Sequence, residues 1–483
     1  MTSVARRSGP ARKAGAEAYP GPRQAPPAPR PGPPRRPQAR PEPAGPGNRP
    51  ARVGPRGVLA AIITGAIMVI ALWWHSTPGV HGLGSWLTGA GEILGLLCGY
   101  GVVVLVVLMA RLPPLERGLG TDKLARWHAM GGRYIVSLVV AHGLLIVWGY
   151  AVTAHASVTS ETATLLTQYP DVLMATVAGF LLLGVGIASM RAARRRVRYE
   201  TWYFLHLYTY LAIALAFSHQ LAVGASFVSN LAARFWWSAM YLAVLVLVLW
   251  YRVAVPLLAF RRHRFEVIGV KAEAPGVISV YIGGRRLDEL DAEPGQFFRW
   301  RFLTRSLWWS SHPFSLSAAP GSDMLRITVK NLGDHSQALA RLQPGTRVFA
   351  EGPYGAFTPG YSGRGVVLLA GGVGITPLRA IFATLPGHVT LIYRASSERD
   401  IVFRDELNAI AAARGATVHY VVGSRAEIGG DPLSPRALRS LVPDLDEQDA
   451  YVCGPSGMTS SAVRALRAAG MPRQRIHFES FEF

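Results

Sequence analysis

The sequence predicts a multi-domain membrane protein: a six-helix transmembrane bundle, then an all-β section, then an α/β section built on a parallel sheet. Three observations predict it. Half of the 483 residues are hydrophobic and only 16% are charged, yet the formal net charge is +21, so the apolar and basic residues must be segregated. Six apolar stretches crowd between Gly57 and Phe260, each near the 20 or so residues that cross a bilayer. Beyond Phe260 the pattern changes to short strand-like runs punctuated by Pro-Gly pairs, then to strands alternating with helices.

Residues 1–56 carry twelve Lys and Arg against Glu17 and Glu42, set in Pro, Ala and Gly. Such a segment has little to bury and reads as a disordered or polyproline-like arm. It is not a signal peptide, because the apolar run begins too late. Next to a membrane span and without interleaved aromatics, the arm reads as facing anionic lipid rather than nucleic acid. The six stretches follow at about 57–74, 86–109, 134–153, 172–190, 201–222 and 235–260. Arg111, Arg117, Lys123, Arg126 and Arg133 fill one connection and Arg191, Arg194, Arg195, Arg196 and Arg198 another, whereas the loops near 75–85 and 155–171 have no Lys or Arg. The positive-inside bias therefore puts both termini in the cytoplasm and the spans in the plasma (inner) membrane. Two distant cysteines, Cys98 and Cys453, exclude a disulfide framework or a Cys-ligated cluster.

Four histidines fall in or at the ends of the spans: His128 and His142 around the third, His206 and His219 in the fifth. Ionisable groups at membrane depth are costly and mark function by default, although a single one also serves in helix packing. Both helices run from inside to outside, and the second histidine of each lies 14 and 13 residues after the first, roughly 20 Å along a helix. Two histidines facing each other at each of two depths is what two stacked b-type haems need, each iron held by a pair of imidazoles. A 14-residue step returns to nearly the same helix face, but a 13-residue step misses by about 140°. The fifth helix is thus expected to be kinked, bulged or strongly inclined.

The segments WHAMGGRYIVSLVVAH and FLHLYTYLAIALAFSH, with this paired spacing, resemble the transmembrane cytochromes b of the ferric reductase and NADPH oxidase superfamily. The resemblance implies His128, His142, His206 and His219 as haem ligands and covers about 57–483. It divides the chain into the basic arm at 1–56, a haem-binding transmembrane domain at 57–260, an FAD-binding β-barrel domain at 261–360 and an NADPH-binding α/β domain at 361–483.

In the β section, His312-Pro313-Phe314-Ser315 resembles the flavin-binding signature of ferredoxin-NADP reductase-like proteins. Lys330, Gly333 and Ser336 follow just ahead of a short helix, whose N-terminal amides suit a flavin pyrophosphate; a plain N-cap at Ser336 is the alternative. In the α/β section a buried strand runs into Gly371, Gly372 and Gly374, then Thr376 and Pro377 at a helix start. Glycine lets backbone approach a phosphate there, and a tight strand-helix turn is the plain alternative. Cys453-Gly454-Pro455 ends a later strand. The resemblance makes Cys453 a nicotinamide-side contact, against a buried structural thiol, and makes the C-terminal ring of Phe483 a cover for the flavin. Arg394 and Arg425, at strand ends, suit the 2′-phosphate of NADPH or surface pairing.

The expected activity is an NAD(P)H-dependent transmembrane oxidoreductase using FAD, NADPH and two b-type haems. Its acceptor is dioxygen, giving superoxide, or a ferric chelate, taken at the haem edge because histidines fill both axial positions. His75, His81, His155, Arg234 and Glu92 are candidates for shaping that outer site; Glu92 at membrane depth needs a partner. No calcium-binding loop is recognisable. Two other readings stay open: a haem-free flavoreductase tethered by its spans, and a histidine-bearing channel or transporter, which leaves the paired spacing unexplained and lacks an internal repeat.

Overall fold

A computed structural model describes residues 54–77, 79–190, 193, 196–197, 199–360, 365–424 and 426–481. The basic arm, most of the second arginine-rich loop, Arg425 and Phe483 lie outside the described residues.

Helices occupy all six predicted stretches. They are α1 (Pro55–Ser76), α2 (Gly82–Leu108), the short α3 (Pro113–Leu119), α4 (Thr121–Thr153), α5 (Val158–Gln168), α6 (Val172–Ala188), α7 (Tyr199–Val223) and α8 (Leu231–His263). Among the described residues α1, α2, α4 and α8 are long and apolar enough to cross a membrane, and α5 with α6, bent by 110°, make a fifth if taken as one broken span. The apolar run of α7 is interrupted by His206, Tyr208, Thr209, Tyr210, His219 and Gln220, which lowers its hydropathy below theirs. α4, which carries the third predicted span, begins at Thr121, thirteen residues before the apolar run at 134.

Small residues set the packing of this section. Gly91, Gly95 and Gly99 recur every four residues on α2, the spacing that lets helix backbones approach. A Cβ at Gly91 would stand 3.0 Å from Cγ1 of Ile146, and one at Gly95 would stand 2.8 Å from the His142 ring. Large apolar side chains point outward, Trp74, Phe180 and Leu231 among them, as lipid-facing residues must. Pro256 interrupts α8 in sequence, since it lacks an N–H and crowds the preceding turn. A π-helical turn at Trp250–Ala254 absorbs it, so α8 continues to His263 without a break.

Only Arg264 and Phe265 separate α8 from β1 (Glu266–Ala274). The β section forms two three-stranded sheets. One orders β1, β2 (Val277–Gly283) and β5 (Met324–Lys330); the other orders β4 (His312–Ser315), β3 (Phe297–Phe302) and β6 (Val348–Tyr354). Both faces meet in one core of Phe265, Val280, Phe298, Trp300, Phe302 and Leu316. Period-two alternation explains it: Phe298, Trp300 and Phe302 are buried while Phe297, Arg299 and Arg301 between them are half-buried. Rings fasten this section to the helices. Phe260 of α8 lies 5.5 Å from Phe349, Arg347 covers Phe260 at 4.8 Å, and Arg111 covers Tyr354 at 4.5 Å.

The α/β section is a five-stranded, all-parallel sheet ordered β11, β10, β7, β8, β9: Ile476–Phe481, Asp449–Pro455, Val366–Gly371, Val389–Ala395 and Thr417–Val422. The four strands expected from sequence are present. The fifth, at Ile476–Phe481, was expected only as a C-terminal segment carrying an aromatic.

Candidate functional site

The two histidine pairs come together as their spacing predicts. His128 and His206 have ring centroids 5.8 Å apart, and His142 and His219 are 6.4 Å apart. α7 is one continuous α-helix with no π-bulge assigned in it, so of the three expected distortions the bulge is the one it lacks. Its close backbone neighbour is α6 rather than α4, so the imidazoles bridge a gap between helices.

The donor atoms fit metal ligation. His128 Nδ1 lies 3.0 Å from the carbonyl oxygen of Leu105, and His142 Nδ1 lies 2.8 Å from that of Gly91, both on α2. A carbonyl only accepts, so each Nδ1 carries the hydrogen and each Nε2 keeps its lone pair for a metal. On α7 the Nδ1 atoms of His206 and His219 are buried without a hydrogen-bond partner. Two metal–nitrogen bonds of about 2 Å each and the halves of two rings fill a separation of this size. The indole of Trp202 stacks on His206 at 5.2 Å. Glu92 has the partner its depth demands, accepting from Trp73 Nε1 at 2.8 Å. His75 lies in the last turn of α1, His81 caps α2, His155 follows α4 and Arg234 lies in the first turn of α8.

The β section presents the second group. His312-Pro313-Phe314-Ser315 forms β4 itself, paired to β3 with Trp300 opposite His312 and Phe297 opposite Ser315. The His312 ring lies 3.8 Å from His335, tilted by 39°, and stacks on Phe314 at 6.2 Å. Ser315 is buried, and Pro313 is exposed. Lys330 ends β5. Gly333, not Ser336, is the N-cap of the helix α9 (Asp334–Leu339). Ser336 is the third helical residue and its Oγ accepts from the backbone N–H groups of Leu332 at 2.8 Å and Gly333 at 3.1 Å. Its hydroxyl folds the turn back rather than opening it.

The glycine turn of the α/β section runs β7, a 3₁₀ turn at Gly372–Gly374, then α10 (Ile375–Phe382). Close approach explains two of its glycines. A Cβ at Gly371 would meet Met458 and Pro455, and one at Gly374 would strike the backbone of Cys453 and Gly454. The turn and Cys453-Gly454-Pro455 thus form one wall. Thr376 and Pro377 are buried, and Thr376 Oγ1 donates to Val373 O at 2.9 Å. Arg394 donates to the carbonyls of Ala395, Val421 and Gly423, so its guanidinium serves the sheet edge.

Sequence reasoning assigned no role to Glu479. Strand pairing sets it opposite Cys453, and its Oε2 is buried without a partner. Burial, with the Asp122 carboxylate as a smaller contribution, pushes its carboxyl up to about 8. Burial, and then Glu479, push the Cys453 thiol well above its ordinary value. Both are uncharged near neutrality, which suits Cys453 to a contact surface rather than to a nucleophile.

The family described as ferric reductase like transmembrane component matches residues 94–217, an FAD-binding domain matches 264–358, and an oxidoreductase NAD-binding domain matches 368–464. Three histidines of the pairs lie within the first segment and His219 lies two residues beyond it. The chain is 31% identical over 230 residues to the ferredoxin reductase component of a 3-ketosteroid-9-alpha-monooxygenase from Mycolicibacterium smegmatis, covering 45% of this chain and 64% of that protein. It is 32% identical over 192 residues to ferredoxin–NADP reductase B of Sorangium cellulosum, covering 35% and 77%. The first of these relatives is spanned over less than two thirds of its length. The FAD/NAD-binding domain of a nitric oxide dioxygenase from Vibrio cholerae has a TM-score of 0.39 and 26% identity, covering 46% of this chain and 99% of that one.

Proposed function

Because the three matched domains together make a ferric reductase/NADPH oxidase-like architecture, we propose that the chain carries electrons from NADPH on one side of a membrane to an acceptor on the other. It is an NAD(P)H-dependent oxidoreductase with FAD- and NAD-binding domains and a ferric reductase-like membrane component. The finer reading adds six spans, with α7 as the fifth, a β-barrel for the FAD domain, both termini in the cytoplasm and the plasma membrane as location. The observation that carries it is the pairing of imidazoles at two depths, 5.8 and 6.4 Å apart.

When bound, FAD would turn the hydride of NADPH into single electrons and two b-type haems would relay them across the bilayer. The protein's own residues do the rest. His128 with His206, and His142 with His219, would hold the irons. Leu105 O and Gly91 O fix the tautomer and orientation of the α4 pair. His312, Phe314 and Ser315 on β4 would receive the flavin, and the turn at Gly371–Gly374 with Cys453 would receive the nucleotide. Buried and uncharged, Cys453 and Glu479 keep an extra anion away from that nucleotide.

A reduced-minus-oxidised absorption spectrum of the purified chain tests the reading. It should show a b-type signal with two haems per chain, and a protein with flavin alone would return the tethered flavoreductase. Comparing superoxide release with ferric-chelate reduction, both driven by NADPH, then identifies the acceptor. Replacing NADPH by NADH tests the nucleotide preference.

A further inference from the structure

The end of α8 and the nearby strand ends enclose a groove of about 730 Å³ lined by Arg261, Arg264, Glu266, Gly284, Arg285 and Arg347. Four arginines face a single carboxylate there. All four are exposed, and among the described residues none of them is in an ion pair, whereas their neighbours Arg262 and Arg286 both lie beside Glu289.

The groove is built rather than incidental. Arg285 N–H donates to His263 O at 2.6 Å, and His263 Nδ1 lies 3.0 Å from Arg285 O, so two hydrogen bonds clasp the end of α8 to the end of β2. A Cβ at Gly284 would stand 2.9 Å from His263 O, so only glycine forms the floor. Arg264 holds a left-handed backbone at φ +46°, a conformation that non-glycine residues adopt at a cost and that clusters where side chains must be aimed. Glu266 and Arg347 are bridged partners, which fixes the opposite wall.

Its position says what enters it. Arg261 lies on the last turn of a helix long and apolar enough to cross a membrane, and the polar headgroups of a bilayer lie at such an end. It is separate from the flavin segment: on β2 and β5, Gly283 pairs with Met324 at this end and Val277 with Lys330 at the other, roughly 20 Å away. Arginine recognises phosphate through paired, charge-assisted hydrogen bonds, and basic pockets at the membrane surface take anionic headgroups. We propose that this groove binds the phosphate of an anionic phospholipid headgroup and so seats the FAD-binding section against the bilayer. The inference rests on the crossing of α8 and not on the electron-transfer reading.

The test uses the full chain in neutral detergent, with Tm followed during titration by short-chain phosphatidylglycerol, by the matching phosphatidylcholine and by inorganic phosphate. Tm should rise saturably with phosphatidylglycerol and not with phosphatidylcholine. Arg261→Gln and Arg285→Gln, both exposed and so compatible with folding, should each raise the half-saturating concentration about five-fold. Arg285→Lys should recover part of that loss, and Arg436→Gln, exposed in the α/β section, should leave it unchanged. Equal titrations for wild type and both groove variants, an equal loss with Arg436→Gln, or no rise with phosphatidylglycerol would overturn the proposal. A rise of the same size with inorganic phosphate overturns the lipid as its source.

Discussion

The membrane section and the α/β section bury themselves in opposite ways. Every residue of β7, Val366–Gly371, is buried within the protein, and its neighbours Leu391, Ile392, Tyr451 and Val452 are too. In the membrane section the crossing helices bury between 6% and 33% of their most apolar windows inside the protein, and His206 and His219 keep buried nitrogens without partners. The sheet is completed by its own side chains. The bundle leaves most of its apolar windows and two imidazole nitrogens uncovered by its own side chains.

His142→Leu should give the largest effect, removing one of two haems and all electron transfer across the membrane, while NADPH oxidation with a soluble dye continues. Haem content per chain and dye reduction, measured together, check it; a full haem complement in this variant would break the contrast. Leu369→Ala attacks the other side, deleting a fully buried side chain of β7. It should destabilise the α/β section by about 2–5 kcal/mol, read as a fall in its unfolding midpoint with haem absorbance unchanged. Gly95→Ala places a methyl 2.8 Å from the His142 ring. Overpacking of that kind costs about 1–3 kcal/mol, and it should weaken retention of the haem at His142 and His219 while sparing the one at His128 and His206, as separate redox titration of the two would show.

The smallest effect concerns Glu479. Burial pushes its folded carboxyl up to about 8, above the ordinary value of 4.5, so the folded state binds the proton more tightly than the unfolded one. The stability from this group is therefore complete below pH 4.5 and lost as pH rises through 8. Thermal unfolding across that window should show the α/β section weakening with rising pH, and Glu479→Gln should flatten the slope. A slope unchanged by the substitution would count against the assignment.

How much was legible in the sequence follows the same division. The histidine pairs were legible because ligand spacing on a helix is local, and the glycine turn because Gly371, Gly372 and Gly374 sit where strand gives way to helix. That α7 reaches α4 across a gap while packing on α6 was not, because whether rings reach a partner depends on how far its helix stands from the neighbour. The 110° bend between α5 and α6 has a proline at its break, Tyr169-Pro170-Asp171; a proline marks where a helix stops but not the angle at which the next one leaves. Glu479 looked like one carboxylate in a polar C-terminal run; its burial arises from pairing with β10 and approach to the start of α4. The arginines of the first arginine-rich connection read as markers of orientation, yet Arg111 forms a buried pair with Glu116 at 2.9 Å and covers Tyr354, and Arg117 reaches Asp291 at 3.1 Å. A charge that obeys a topological bias can also dock a domain, and composition alone does not separate the two.

The π turn at Trp250–Ala254 and the two-residue passage from α8 into β1 make the joint between bilayer and reductase a torsional one. A helix turns 100° per residue, so restoring a regular α-helix by deleting one residue of the π turn would swing the FAD-binding section by about that angle around the axis of α8. The aim of the reductase at the membrane is thus written as a phase, counted in single residues, and a flexible linker could not hold it.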